Sequence, residues 1–248
     1  MLKIKNYFKK TINKIRFKQK SSSEEFVNYL MNKGVQIGED VIFYSPLNTL
    51  VDEQYPWQIT IGNHVRITEG VKILTHDFSW SVLKEIDCGY GKGTILGASG
   101  KVNIGNNVFI GMNSIILRGV NIGDNVIIGA GSIVSRDCES NGVYAGNPAK
   151  KIMDINEYYK KRLDAQVSEA KNLALDYFYR YKTLPKKEIF YEYFFLFESN
   201  LNLPDKFIEQ MELGGTKNES FNHIITGNNV FNNFDSFLDY VFKDIEEN

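Results

Sequence analysis

Between Ile104 and Glu139 the chain reads as six consecutive sixes. Each is opened by a branched aliphatic residue: Ile104, Ile110, Ile116, Ile122, Ile128 and Val134. Gly follows the opener in four of the six, and a small or β-branched residue stands four places after it: Val108, Ser114, Val120, Val126, Ser132 and Cys138. Helical side chains recur roughly every 3.6 residues and strand side chains every 2, so neither element carries this period. Short strands joined by tight turns and stacked as coils do. The openers then point into a narrow core and the second inward place takes a smaller side chain. Gly supplies backbone freedom at the corner, and the Asn-Asn and Asp-Asn pairs tolerate the turn. One such strand buries too little to stand alone, whereas a stack buries a continuous column. Chance Ile-Gly turns in a β-sandwich do not account for six copies in phase.

The phase extends upstream. Ile37-Gly38-Glu39-Asp40-Val41 is a further unit, and Ile61, Ile67 and Ile73 resume the sixes after an irregular stretch at 44–57. Ile37 and Ile61 are 24 residues apart, a whole number of sixes, so the phase is expected to survive that stretch. Ile73 and Ile104 are 31 apart, which is not a multiple of six. A loop at about 78–100, carrying Gly89, Gly91, Gly93, Gly97 and Gly100, is therefore expected to leave the solenoid. A long loop on a rigid scaffold is a usual place for a binding site.

These repeats, followed by Gly146-Asn147-Pro148-Ala149-Lys150, resemble the hexapeptide-repeat acyltransferases, and most of all the branch of sugar and polysaccharide O-acetyltransferases. The resemblance covers about residues 35 to 152. It implies a left-handed parallel β-helix, three sixes to a turn, assembled as a homotrimer. It also implies acetyl-coenzyme A as co-substrate and a saccharide acceptor. The left hand comes from the family, since most parallel crossovers are right-handed. The fold class is then mainly β, with an N-terminal basic helical arm at 1–34, the β-helix domain at 35–153 and an α-helical C-terminal domain at 154–248.

Formal charge is balanced at −1, but unevenly distributed. Residues 1–20 hold eight basic side chains and no acidic one, which leaves 21 basic against 30 acidic in the remainder. Leu2, Ile4, Phe8, Ile12, Ile15 and Phe17 recur there at near-helical spacing. That pattern suits an amphipathic helix on an anionic membrane surface, and equally a solvated tail or a helix docked on the acidic remainder. No nucleic-acid-binding motif accompanies the charge. Cys88 and Cys138 lack metal-ligand spacing and imply no disulfide framework, which suits a reducing, cytoplasmic location. No apolar run approaches the length of a membrane span, and no apolar segment of signal-peptide type follows the basic N-terminus.

Ser21-Ser22-Ser23-Glu24-Glu25 marks a helix start, with Phe26, Leu30 and Met31 as its apolar face and Gly34 as its end. Past Asp154, the series Ile155, Tyr159, Leu163, Val167, Ala170, Ala174 and Tyr177 forms a helical stripe interrupted before Pro185. Further helices are expected from Pro204-Asp205 to Gly214-Gly215 and from Phe234 to Glu247. The aromatics at 190–197 read as a small helical core, with stacking on an acceptor sugar as the alternative.

His76 carries the chemistry. It stands at the end of a coil where the loop departs, and Thr75-His76 resembles the family's catalytic position. Neutral imidazole can take the proton of a sugar hydroxyl as it attacks a thioester and can return it to the leaving thiolate. Direct transfer then needs no acyl-enzyme, since alignment of two bound substrates supplies much of the rate. Asp77 reads either as the ring's orienting partner or as a turn residue. The resemblance assigns contact with acetyl-coenzyme A to Phe109, Gly111, Ala130, Ser135, Arg136 and Lys150. Small Ala130 lets the pantetheine arm lie close, and Arg136 can pair with phosphate oxygens. Phe109 stands where several relatives carry Trp, and Met112 replaces a small residue. His64 reads as an exposed corner residue and His223 as a surface histidine. With three histidines in the chain and two of them in the repeats, a three-histidine zinc site is not expected. N-acetylation of an amino-sugar nucleotide and a non-catalytic solenoid scaffold are the alternatives that the sequence leaves open.

Overall fold

The computed structural model describes residues 16–199, 203–213, 215–226 and 229–243. They form two compact units divided between Tyr158 and Tyr159. Residues 1–15 of the basic arm lie outside the described residues. Of the arm's last residues, Lys20 donates its ammonium to the Thr49 carbonyl oxygen at 2.8 Å.

The first unit opens with helix α1 (Ser23–Lys33). The Ser22 hydroxyl accepts the Glu25 N–H at its start, and Gly34 ends it in the left-handed region at φ 109°. Phe26 and Leu30 are buried, whereas Met31, expected on the same face, is exposed.

Four coils follow. The first comprises β1 (Gln36–Ile37), β2 (Ile42–Phe43) and β3 (Leu50–Val51); the second β4 (Ile59–Ile61), β5 (Val65–Ile67) and β6 (Lys72–Ile73). The third comprises β7 (Val102–Ile104), β8 (Val108–Ile110) and β9 (Ile115–Ile116); the fourth β10 (Asn121–Ile122), β11 (Val126–Ile128) and β12 (Ile133–Val134). Strands at the same place in successive coils pair in parallel, giving three sheets in register. Ile110 pairs with Ile128, Ile116 with Val134 and Ile104 with Ile122, so every opener stacks on an opener. Ile37 also pairs with Ile61, so the phase survives the irregular stretch. Across the loop the same register resumes, with Ile61 on Ile104. A hairpin of β13 (Gly142–Gly146) and β14 (Ala149–Asp154) caps the second sheet, its turn formed by the Gly146–Lys150 motif.

The core is the predicted column. All six openers and all six second inward residues are buried, including Ser114, Ser132 and Cys138. Ser114 and Ser132 keep their hydroxyls satisfied by donating to the Gly129 carbonyl oxygen at 3.0 and 2.6 Å. Burial, with the nearby Asp137 charge, pushes the Cys138 thiol up to about 12, so this cysteine acts as core filling.

The glycines differ from their expected role. Those after the openers do not adopt positive φ; that conformation falls on a column of corner residues, Asp40, His64, Asn107, Asn125 and Asn141, at φ 52–61°. Asn and Asp tolerate it because their short polar side chains satisfy local backbone groups. The glycines after the openers are instead required by close stacking of coils. A Cβ on Gly62 would lie 2.6 Å from the Gly105 carbonyl oxygen, and one on Gly111 would lie 2.5 Å from the Ala130 backbone nitrogen. Gly111→Val is therefore expected to cost about 1–3 kcal/mol of stability through overpacking against rigid backbone. A denaturant midpoint equal to wild type would contradict this account of the stack.

The second unit is helical. Helix α3 (Ile155–Tyr181) starts in the first unit and buries Ala170 and Ala174 in the second; the short α2 (Trp80–Leu83) lies in the loop. Helices α4 (Asp205–Glu212), α5 (Lys217–Thr226) and α6 (Phe234–Phe242) follow. The sequence signals miss α5, whose Asn, Ser and Thr content is unlike a strong helix former and whose buried contribution is Ile224 alone. Phe190, Phe194, Phe197, Phe207 and Phe237 are buried together, with Phe190 and Phe237 edge to face at 5.2 Å. The core reading of these aromatics applies. Helix makes up 39% of the described residues, so "mainly β" describes the first unit and not the chain.

Candidate functional site

Each coil turns a corner when it leaves the third sheet, and His76 stands at that corner in the second coil, three residues after β6. Its Nδ1 lies 2.5 Å from Oδ2 of Asp52, which occupies the same corner one coil earlier, directly after β3. Asp52 is buried, and the same oxygen accepts the Thr75 N–H at 2.9 Å and the Thr75 hydroxyl at 2.6 Å. Its Oδ1 accepts the Gln54 N–H at 2.9 Å. Burial opposes ionisation of this carboxyl, but the Thr75 hydroxyl, the Gln54 and Thr75 amides and His76 together hold it below its ordinary value. An ionised carboxylate only accepts, so Nδ1 carries the hydrogen, and in the neutral ring Nε2 is the nitrogen with the lone pair. The His76 side chain is 31% exposed, and the Tyr55 ring meets it edge to face at 5.9 Å.

The orienting role that the sequence offered to Asp77 therefore falls to Asp52. Asp77 points elsewhere: its Oδ1 accepts the Ser79 hydroxyl at 2.6 Å and the Ser79 N–H at 3.0 Å, while its Oδ2 accepts Arg118 Nε–H at 2.5 Å. Those donors, led by the Ser79 hydroxyl and then Arg118, hold its carboxyl far below the usual range. Asp77 thus fastens the departing chain to the third coil. The returning chain is fastened beside it, since the Asp77 N–H donates to Ala98 O and the Gly100 N–H to Thr75 O. Between these ties the loop contains one short helix, α2 (Trp80–Leu83). It carries large apolar side chains in the open, Phe78, Tyr90 and Ile95 among them.

The residues singled out for the acetyl donor do not gather at one point of the chain. Ser135 and Arg136 follow β12, at the same corner as His76 and two coils further on. Ala130 follows β11 at the corner before the third sheet, and Lys150 lies opposite Ala145 in the capping hairpin. Ala130, Ser135, Arg136 and Lys150 are exposed, and neither cation makes an ion pair among the described residues. Phe109 stands exposed on the outer face of the second sheet, between Arg66 and Ile127. Gly111 is buried against Ala130, so its place is inside the stack and not on a binding surface.

His64 is held at its corner by Asp40, Nδ1 to Oδ2 at 2.5 Å, and Arg66 pairs with the same carboxylate at 2.7 Å. This cluster explains the histidine structurally. His223 lines a cleft of about 500 Å³ in the second unit with Glu192, Phe195, Gln210 and Glu219. None of the residues expected at the site lines that cleft. Among the described residues no group of three or more His, Cys, Asp or Glu is placed to hold a metal ion, and no helix is long and apolar enough to cross a membrane.

The family of bacterial transferase hexapeptide proteins (six repeats) matches residues 101–136. Protein CapG of Staphylococcus aureus is 46% identical over 154 residues, covering 60% of this chain and 81% of that protein. The chain belongs to the hexapeptide-repeat acetyltransferase family. Among solved structures, a maltose O-acetyltransferase from Clostridium difficile 630 aligns over 53% of this chain and 75% of its own, at 29% identity and a TM-score of 0.37. A galactoside acetyltransferase in complex with coenzyme A aligns over 55% and 73%, at 30% identity and a TM-score of 0.41. In this hexapeptide-repeat acetyltransferase the matched segment holds Phe109, Ala130, Ser135 and Arg136, whereas the Asp52–His76 pair lies in the two earlier coils.

Proposed function

We propose that the protein transfers an acetyl group from acetyl-coenzyme A to a hydroxyl of a sugar or surface polysaccharide, with His76 as general base. The observation that carries this reading is the Asp52–His76 pair at the root of the long loop, on a scaffold of the acetyltransferase family. Acetyl-coenzyme A supplies an activated thioester carbonyl. The residues present suit such a donor: Ala130 leaves room for a pantetheine arm, and Arg136 and Lys150 are cations without an ion-pair partner among the described residues.

His76 Nε2 accepts the hydroxyl proton as the sugar oxygen attacks, and the resulting imidazolium returns it to the departing thiolate sulfur. Asp52 holds the ring and stabilises its charged form through the Nδ1 hydrogen bond. In this reading the coils wind left-handed and three copies assemble. The His76 edge of the third sheet in one copy then faces the Ala130 and Lys150 edge of its neighbour, and the two halves complete one site. Contact of the basic residues 1–20 with an anionic membrane surface on the cytoplasmic side belongs to the same proposal.

The test is product identity. Acetyl-coenzyme A labelled at the carbonyl carbon, incubated with the protein and a panel of saccharides, is expected to give saccharide-dependent thiol release and a labelled O-ester. A labelled amide would move the reading to amino-sugar N-acetylation. Absence of both thiol release and coenzyme A binding by calorimetry would favour a scaffold.

A further inference from the structure

We infer that Tyr55 and Trp57 form the acceptor subsite, a stacking path that receives one pyranose ring beside the His76 imidazole and a second ring beyond it. This rests on the saccharide reading above. Tyr55 meets the imidazole edge to face at 5.9 Å, and Trp57 meets Tyr55 edge to face at 5.7 Å. The rings thus lead outward from the base in two steps of similar length. Trp57 is 64% exposed, the open end of a path whose inner end is half-buried. Aromatic faces take the C–H faces of a pyranose while its hydroxyls stay at the rim, free for water or for His76.

The backbone beneath is firm. Pro56 is buried and starts a single 3-10 turn, Pro56–Gln58, with its φ fixed by the ring. Gly34, the cap of α1, lies 3.9 Å from both Pro56 and the Trp57 nitrogen, measured from where its Cβ would stand. The segment is also tied to the catalytic pair, since Asp52 accepts the Gln54 N–H through one oxygen and faces His76 with the other.

Position along the stack separates this path from the donor. Tyr55 and Trp57 belong to the turn from the first coil into the second, below His76. Arg136 ends the fourth coil and Lys150 lies in the capping hairpin, both above it. With about 4.8 Å between neighbouring strands, the donor's cations and Trp57 are on opposite sides of the base. That is the arrangement a direct transfer between two bound substrates requires.

The test compares wild type, Trp57→Ala and Trp57→Phe on an oligosaccharide that the wild type acetylates. The Michaelis constant for the saccharide is expected to rise about tenfold in Trp57→Ala and to stay near wild type in Trp57→Phe. An unchanged saccharide constant in Trp57→Ala, or a rise in the acetyl-coenzyme A constant in its place, overturns the assignment. A second readout is independent of turnover. The chain has two tryptophans, Trp57 and Trp80, so a Trp80→Phe protein reports on Trp57 alone. Its fluorescence is expected to change when the oligosaccharide is added without acetyl-coenzyme A, and no change at saturating saccharide overturns the subsite. If the wild type acetylates no saccharide at all, the functional reading falls and this inference with it. Transfer that is indifferent to Trp57 overturns this inference alone.

Discussion

Asp52→Ala and Asp52→Asn are both expected to lower saccharide acetylation by about 10- to 100-fold, with the loss in kcat. A hydrogen bond to a charged group is worth about 1.5–3 kcal/mol, and each 1.4 kcal/mol is about tenfold in rate. Alanine removes the acceptor that holds Nδ1–H and steadies the imidazolium. Asparagine is the sharper variant, because its shape is nearly unchanged. Its amide can donate to Nδ1 and thereby favour the tautomer with hydrogen on Nε2, which leaves no lone pair for the sugar hydroxyl. A merely structural Asp52 would predict the opposite, activity close to wild type in Asp52→Asn. Activity by thiol release, with coenzyme A binding measured alongside, separates the two.

The same carboxylate also contributes to stability, with a defined sign. Its folded value lies below the ordinary one, so its contribution is complete above the unfolded value of about 4 and is lost as pH falls through the folded value. Wild type is expected to lose stability on acidification below about pH 4 more steeply than Asp52→Asn. Denaturant midpoints measured across that range check this, and parallel curves would contradict it.

The solenoid was legible because every six states its own requirement: a branched opener, a small second residue, and a corner that accepts a left-handed backbone. The role of the glycines was not legible, because sequence does not distinguish a residue that needs positive φ from one that needs absence of a Cβ. Only the register, with Gly111 against the Ala130 backbone, shows which applies. The position of His76 at the root of the loop was legible from the break in phase. Its partner was not, since Asp77 is adjacent in sequence while Asp52 is adjacent only through the stacking of coils. The repeat period alone would not have paired them: the strands before this corner pair with Val51 on Ile73, an offset of 22, whereas Asp52 and His76 are 24 residues apart. Tyr55 and Trp57 lay hidden in the irregular stretch for a related reason, because a segment without the repeat gives no register from which to project its contacts.

The central claim is that His76 takes the proton of the accepting hydroxyl. The measurement that tests it most directly is thiol release from acetyl-coenzyme A by purified wild type and His76→Ala, with an accepted saccharide present and absent. General-base catalysis contributes about 100- to 10,000-fold, so the saccharide-dependent rate is expected to fall by that much in His76→Ala. Coenzyme A binding by calorimetry should be retained in the mutant, since His76 lies apart from Arg136 and Lys150 along the stack. That split, chemistry lost and donor binding kept, is the predicted result. A His76→Ala protein that acetylates the saccharide at the wild-type rate would contradict the site assignment.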